Sequence, residues 1–136
     1  MNTPRQGAFT ILVIDDEESV RDLIDEVLRT SGHRILLASS GDAALEMVQA
    51  SHPDLILVDY ALPGMTGLEV VQRLKASADT RRIPIVALTS ATAHVANELS
   101  RAGCIAFIPK PFEPAAFRQL IAEILNETVG RTRPGA

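Results

Sequence analysis

The sequence is poor in cysteine, in positive charge and in long apolar runs. Its single cysteine, Cys104, excludes an internal disulfide framework and is predicted to be a small buried hydrophobe. The formal net charge of −4 gives no support for nucleic acid binding through this domain, because such binding favours a basic patch. Three histidines show no metal-ligand spacing and are expected at the surface: His33, His52 and His94.

The apolar runs also fall far short of the roughly 20 residues that a membrane-spanning helix needs. Residues 1–7 are polar and contain no hydrophobic stretch of the kind that marks a secretory signal. We therefore expect a cytoplasmic protein that does not act at a membrane.

Length and composition fit one globular domain. The chain has 136 residues, of which 46% are hydrophobic, and no internal repeat is visible. We predict a disordered or frayed N-terminus over residues 1–8, a folded domain over residues 9–127, and a flexible tail or linker stub over residues 128–136.

Five apolar, strand-like runs alternate with segments of helical periodicity. The runs cover residues 11–14, 35–38, 55–58, 85–88 and 105–108. This alternation is typical of βα units around a parallel sheet, whose strands are covered on both faces and therefore read as continuous apolar runs. The sequence thus predicts an α/β fold with a doubly wound, five-stranded parallel sheet.

The segments between the runs carry helix start and stop signals. Residues that begin or end a helix are Gly32, Pro53, Gly103 and Pro114. Thr66 and Glu69 have the spacing of a capping box at the start of the third helix. The helical spacing also predicts that Leu23 and Leu120 lie on the buried faces of the first and last helices.

Polar residues follow the strands at the point where each one ends. They are Asp15, Asp16, Asp59, Thr89 and Lys110. In a right-handed doubly wound sheet in which the first, third, fourth and fifth strands are adjacent, these ends converge at one edge, where ligands bind. We therefore expect one acidic pocket at the carboxyl edge of the sheet.

The residue types in this pocket indicate phosphoryl chemistry. Three carboxylates about 4 Å apart repel by up to roughly 4 kcal/mol per pair at an effective dielectric near 20, so a hard divalent cation with oxygen ligands is the natural counterion. Lys110 and Thr89 suit a phosphoryl group, since they offer an ammonium and a hydroxyl donor. Asp59 is then a candidate nucleophile that forms an aspartyl phosphate. Glu17 and Glu18 are interpreted as acids of the helix start rather than ligands.

These residues closely resemble the receiver domain of two-component response regulators, the CheY-like superfamily. The matching segments are LVIDDE (12–17), LVD (57–59), LPGMTG (62–67), LT (88–89) and PKPF (109–112). The resemblance spans about residues 9–127. It implies a flavodoxin-like (βα)5 fold with strand order 2-1-3-4-5.

The resemblance also implies a phosphorelay function. Asp59 would accept a phosphoryl group from a phosphohistidine on a sensor histidine kinase or a histidine phosphotransfer protein, and the chain would then switch its binding to a downstream protein. Asp16 and Asp59, with the backbone carbonyl of Ala61, would bind Mg²⁺ or Mn²⁺ directly, and Asp15 would act through water. The domain would be a monomer or a weak, phosphorylation-dependent dimer.

The remaining site residues would bind the phosphoryl group and transmit its presence. By the same resemblance, Thr89 and Lys110 would contact the phosphoryl oxygens. Thr89 and Phe107 would form the switch, and the Lys110–Pro111 bond would be cis.

The sequence departs from the family pattern in three ways. Ala61 and Ala91 stand where many members carry polar side chains, so we expect slow self-hydrolysis of the phosphoryl group. Phe107 replaces the more frequent tyrosine and removes a hydroxyl from the output face. The stretch from Thr89 to Lys110 is one residue shorter than usual, and its helix, about residues 93–101, is weakly patterned.

Two other classes of protein share part of this pattern. Aspartate-nucleophile phosphohydrolases also end a strand in a reactive aspartate, but within an Asp-x-Asp motif whose second acid protonates the leaving group. Ala61 stands at that second position here. We therefore expect the chain to catalyse only its own phosphorylation and dephosphorylation. A pseudo-receiver that only binds a partner, or a receiver fragment of a longer regulator or hybrid kinase, remains an alternative. The sequence does not identify the kinase, the stimulus or the target.

Overall fold

A five-stranded parallel sheet forms the centre of the molecule. The structure, a computed structural model, describes residues 9–90 and 93–129. The strands are β1 (Thr10–Ile14), β2 (Arg34–Ala38), β3 (Leu55–Asp59), β4 (Ile85–Thr89) and β5 (Ala106–Pro109). Their order is β2-β1-β3-β4-β5, which confirms the predicted fold class and strand order.

Helices connect successive strands and cover both faces of the sheet. They are α1 (Glu18–Arg29), α2 (Gly41–Ser51), α3 (Gly67–Ala76), α4 (Ala93–Ala102) and α5 (Pro114–Ile124), and a π-helical turn (Leu125–Val129) continues α5. No helix in the described ranges is long and apolar enough to span a bilayer. The π-helical turn includes the first two residues of the predicted tail; the segment 1–8, Ala91 and residues 130–136 lie outside the described residues.

The strand register brings the strand ends together. Ile14 pairs with Val58 across β1 and β3, and Asp59 pairs with Leu88 across β3 and β4. Thr89 pairs with Pro109, so Lys110 directly follows the paired end of β5. The polar residues at the ends of four adjacent strands therefore lie at one edge of the sheet.

The core is divided into two layers by the alternation of side chains along the strands. Leu57 belongs to the layer under α1 and α5, where Phe117 is almost fully buried. Ile56 and Val58 belong to the opposite layer under α2, α3 and α4. Every residue of β3 and β4 is buried, as expected for central strands of a sheet covered on both faces.

Local signals explain most helix ends. The predicted capping box is present at α3, with Thr66 accepting from the Glu69 backbone and Glu69 accepting from the Thr66 backbone. Pro114 is in the first turn of α5, as predicted. At α2 the left-handed residue is His52 (φ 48°), one position before Pro53, so the helix ends through this residue rather than through the proline alone.

Three sequence-based expectations about burial and bounds were wrong in detail. β5 begins at Ala106, and Ile105 before it is 46% exposed. Leu23 is 36% exposed, and Leu120 is only half-buried.

The cysteine and the three histidines differ in how deeply they are buried. Cys104 is buried, as predicted, and burial raises the pKa of its thiol to about 11, while the nearby Lys75 charge lowers it. His52 and His94 are exposed, as predicted. His33 is instead half-buried beside Phe9, with ring centroids 5.9 Å apart, and burial lowers its pKa.

Candidate functional site

A cleft of about 830 Å³ opens at the carboxyl edge of the sheet. It is lined by residues from the ends of β1, β3, β4 and β5, including Asp16, Asp59, Ala61, Thr89 and Lys110. Asp15 lies beneath its floor and is fully buried. The structure thus brings together all five polar residues that the sequence places at strand ends.

The three acids form a compact cluster. Carboxylate oxygens of Asp15, Asp16 and Asp59 all lie within 4.8 Å of one another. Asp59 is 5% exposed, whereas Asp16 is open to solvent. Hard divalent cations prefer oxygen ligands of this kind, so the donor set fits Mg²⁺ or Mn²⁺. The role of the Ala61 carbonyl as a further ligand stays a prediction.

Lys110 is the main cation among these acids. Its Nζ donates to Asp15 Oδ2 at 2.9 Å and lies 3.4 Å from Asp59 Oδ2. It also lies 3.6 Å from Glu17 Oε1. One ammonium therefore neutralises parts of three carboxylates. The Lys110–Pro111 bond beside it is cis, as the resemblance implied.

The pKa values of Asp59 and Lys110 are both shifted by this arrangement of charges. Burial raises the pKa of Asp59, and the neighbouring Asp15 charge raises it further, while Lys110 and the Ala61 N–H act in the opposite direction. Burial lowers the pKa of Lys110, but its hydrogen bond to Asp15 and the charges of Asp15 and Asp59 outweigh burial, so the net shift is upward. Lys110 is therefore held as an ammonium beside the acids.

A glycine lets the loop after β3 pass close to Asp59. A Cβ at Gly67 would lie 2.3 Å from the Asp59 carbonyl oxygen and 2.7 Å from the Tyr60 Cα. The Gly67 N–H donates to the Tyr60 carbonyl at 3.0 Å, and the Ala61 N–H donates to Asp59 Oδ1 at 3.2 Å. The start of α3 thus fixes the backbone that carries Asp59, and only glycine fits there.

The β1–α1 loop is also held at several points. The Glu17 N–H donates to Asp15 Oδ1 at 2.9 Å, and the Asp15 N–H donates to the Ala38 carbonyl at 3.1 Å. The Arg21 guanidinium donates to the Asp15 carbonyl at 2.8 Å. Sequence reasoning missed both Glu17 and Arg21 as site residues, because each reads as ordinary charge at the start of a helix.

Thr89 and Phe107, which the resemblance assigns to the switch, lie on the adjacent strands β4 and β5. Thr89 is buried at the end of β4, and its carbonyl accepts from the Lys110 N–H at 3.1 Å. Phe107 is half-buried and packs against the core layer under α3 and α4. Their switching roles stay predictions.

Comparison with known proteins gives consistent results. Residues 11–122 match the family described as the response regulator receiver domain. The chain is 38% identical over 128 residues to the phosphate regulon transcriptional regulatory protein PhoB of Pseudomonas aeruginosa, covering 93% of this chain and 54% of that protein. It therefore spans about half the length of this relative.

A second relative is matched almost from end to end. The chain is 33% identical over 119 residues to the polar-differentiation response regulator DivK of Brucella ovis, covering 87% of this chain and 97% of that protein. The match thus includes a protein in which the domain is nearly the whole molecule.

A solved structure matches in shape as well. The receiver domain of the sensor histidine kinase PA1611 from Pseudomonas aeruginosa aligns with a TM-score of 0.79 and 29% identity, covering 90% of this chain and 98% of that one. That structure has a magnesium ion coordinated in its active site cleft.

Proposed function

This chain belongs to the response regulator receiver domain family, and from that premise we propose that it is a phosphoacceptor whose nucleophile is Asp59. The observation that carries the proposal is the position of Asp59, buried at the floor of an open cleft between two further acids and an ammonium. Burial and the neighbouring Asp15 raise the pKa of Asp59 by more than Lys110 lowers it, so the carboxylate is only partly compensated in this setting, which favours a functional role.

The chemistry follows from the groups around Asp59. One carboxylate oxygen forms a bond to the phosphorus of the donor, and the bond from phosphorus to the donor's nitrogen breaks, with its electron pair leaving on the donor imidazole. Lys110 already lies 3.4 Å from Asp59, so it stabilises the charge that develops on the phosphoryl oxygens. Thr89 lies in the same cleft and offers a hydroxyl donor.

A divalent cation completes the site. Asp16 and Asp59 would hold Mg²⁺ or Mn²⁺ with the carbonyl of Ala61, and Asp15 would act through water. Bound there, the cation supplies charge neutralisation for the transferring group. The oxygen donor set and its compactness support this assignment.

The phosphoryl group is carried on the protein's own carboxylate, and no separate substrate is turned over. Position 61, where a second acid would protonate a leaving group, is alanine and exposed in the cleft. We therefore assign no enzymatic activity beyond the chain's own phosphorylation and dephosphorylation. A sensor histidine kinase or a phosphotransfer protein is the proposed donor.

The output of the cycle is a change in partner binding. Occupation of the cleft by a phosphoryl group would give Thr89 and Lys110 new partners. Thr89 ends β4, the strand before α4, and Lys110 follows β5, the strand that contains Phe107. The proposed result is a shift in affinity for a downstream protein in the cytoplasm.

Intact mass spectrometry tests the phosphoacceptor role. After incubation with Mg²⁺ and acetyl phosphate, the chain is expected to gain one phosphoryl mass, and Asp59→Asn is expected to gain none. Asp42→Asn, which removes an exposed acid of α2, serves as the matched control and should gain the mass as the unaltered chain does. If neither acetyl phosphate nor a phosphorylated phosphotransfer protein adds mass, the chain is a partner-binding pseudo-receiver instead.

A further inference from the structure

Arg21 contacts the acidic loop without pairing to an acid. It lies in the first turn of α1, half-buried, and its Nη1 donates to the backbone carbonyl of Asp15 at 2.8 Å. None of the ion pairs within the described ranges includes Arg21. The partner of this guanidinium is therefore a peptide group, and the contact fixes geometry.

That peptide group joins the two acids of the β1–α1 loop. The Asp15 side chain is held independently, since its two oxygens accept from the Glu17 N–H and from Lys110. The Asp16 carboxylate is exposed, and within residues 9–90 and 93–129 it has no hydrogen-bond partner. The Asp15–Asp16 peptide fixes where the Asp16 side chain leaves the main chain, and in that position its carboxylate oxygen lies within 4.8 Å of those of Asp15 and Asp59.

We propose that Arg21 is a positioning residue for the metal site: by anchoring the Asp15 carbonyl it orients the Asp16 carboxylate toward Asp59. The inference rests on the proposed function, because it assigns Asp16 to the cation. Groups that hydrogen-bond directly to a metal ligand typically change the metal affinity by 10-fold to 100-fold when they are removed, and Arg21 acts on Asp16 through one peptide group, so its effect is expected at the lower end of that range.

The direction in which Mg²⁺ affinity changes when Arg21 is replaced distinguishes a positioning role from a simple effect of its charge. Arg21 carries a positive charge close to a cation site, so its removal should strengthen Mg²⁺ binding if Coulomb repulsion were its main effect. Loss of positioning weakens Mg²⁺ binding. Arg21→Met removes the charge and the donors but keeps the apolar stem, and it therefore gives opposite results under the two explanations.

Calorimetric titration with Mg²⁺ measures this directly. We expect the Kd of Arg21→Met to rise by about 10-fold. Arg21→Lys keeps the charge and one donor group, and it should recover part of the affinity. Arg29→Met removes an arginine of the same helix whose partner is Asp25, far along α1 from the acids, and should bind Mg²⁺ as the unaltered chain does.

Phosphorylation by acetyl phosphate provides a second readout. In Arg21→Met the Mg²⁺ concentration that gives half the maximal rate should rise, while the rate at saturating Mg²⁺ changes little. If Arg21 had a purely structural role, its replacement would lower the melting temperature measured without Mg²⁺. Arg21→Met and Arg21→Lys would then have equal Mg²⁺ affinities.

The outcomes separate this inference from the proposed function. Equal or tighter Mg²⁺ binding by Arg21→Met, or equal affinities for Arg21→Met and Arg21→Lys, would overturn the positioning role alone. Failure of the unaltered chain to bind Mg²⁺ would overturn the metal site itself, and the role of Arg21 with it.

Discussion

At the scale of single residues, the site depends on side chains that are small as much as on those that are charged. Gly67 permits the close approach of α3 to the backbone of Asp59, and Ala61 adds no polar side chain to the part of the cleft that it lines. The first controls the position of Asp59. The second bears on how long the proposed phosphoryl group would remain there.

Gly67→Ala should weaken Mg²⁺ binding as well as lower the free energy of unfolding. The new Cβ meets backbone atoms that cannot rotate away, so the loop after β3 must shift, at a cost of about 1–3 kcal/mol in the free energy of unfolding. Urea unfolding and Mg²⁺ titration measure both effects. Gly64→Ala is the matched control, because its φ of 72° brings backbone strain but no atom lies within 4 Å. Unchanged Mg²⁺ affinity in Gly67→Ala would contradict the prediction.

The phosphoryl group on Asp59 should be lost slowly. The alanine at position 61 cannot orient a water molecule for attack on phosphorus, whereas a polar side chain there could. We expect Ala61→Asn to shorten the lifetime severalfold in a time course followed by intact mass after the donor is removed. Ala76→Asn, at the exposed end of α3, is the control. Decay of the unaltered phosphoprotein within seconds would rule out the prediction.

At the scale of elements, α4 is the helix with the weakest attachment. Leu99 is its single buried residue in the described range, whereas α3 buries four residues and α5 buries three. Elements with few buried contacts open at low free energy, which suits a segment that changes position during switching.

Leu99→Ala should loosen α4 selectively. The substitution removes a fully buried side chain and is expected to cost about 2–5 kcal/mol if the whole domain unfolds cooperatively. If α4 opens by itself, hydrogen exchange should show loss of protection in α4 with little change in α1 and α5. Leu74→Ala in α3 provides the comparison, since it removes a leucine that is 2% exposed. Uniform loss of protection in both variants would argue against independent opening.

A structural element could be predicted from the sequence when neighbouring residues alone determine it. The third strand, the capping box of α3 and the polar strand ends could be predicted because adjacent residues carry the whole signal. The start of β5 and the exposure of Leu23 could not, since both depend on neighbours distant in sequence. Glu17 and Arg21 escaped for the same reason: one is recognised only through Lys110, and the other only through a carbonyl.

At the scale of the whole molecule, folding itself assembles the charge cluster. The acids come from the ends of two strands, and Lys110 is 95 residues from Asp15 along the chain. Unfolding separates these groups and relieves their repulsion, so the native state carries an electrostatic cost that a bound cation removes.

Mg²⁺ should therefore raise the melting temperature. A ligand that binds only the folded state at 100 times its Kd stabilises it by about 2.7 kcal/mol. Calorimetric scans with and without millimolar Mg²⁺ test this, with NaCl at equal ionic strength as the control for screening. The shift should be smaller in Asp16→Asn, which removes one carboxylate of the cluster. Identical scans with and without Mg²⁺ would contradict a metal site.

The position of Tyr60 beside Asp59 makes it useful as an intrinsic fluorescent probe of the cleft. The chain has no tryptophan and one tyrosine, and that residue directly follows Asp59 and lines the cleft. Its N–H donates to the Leu88 carbonyl and its carbonyl accepts from Gly67, so the main chain holds it in place. With excitation at wavelengths that phenylalanine does not absorb, this tyrosine is the one intrinsic fluorophore of the sequence, and it lies next to the proposed phosphoacceptor, so its emission offers a label-free probe of Mg²⁺ binding and phosphorylation.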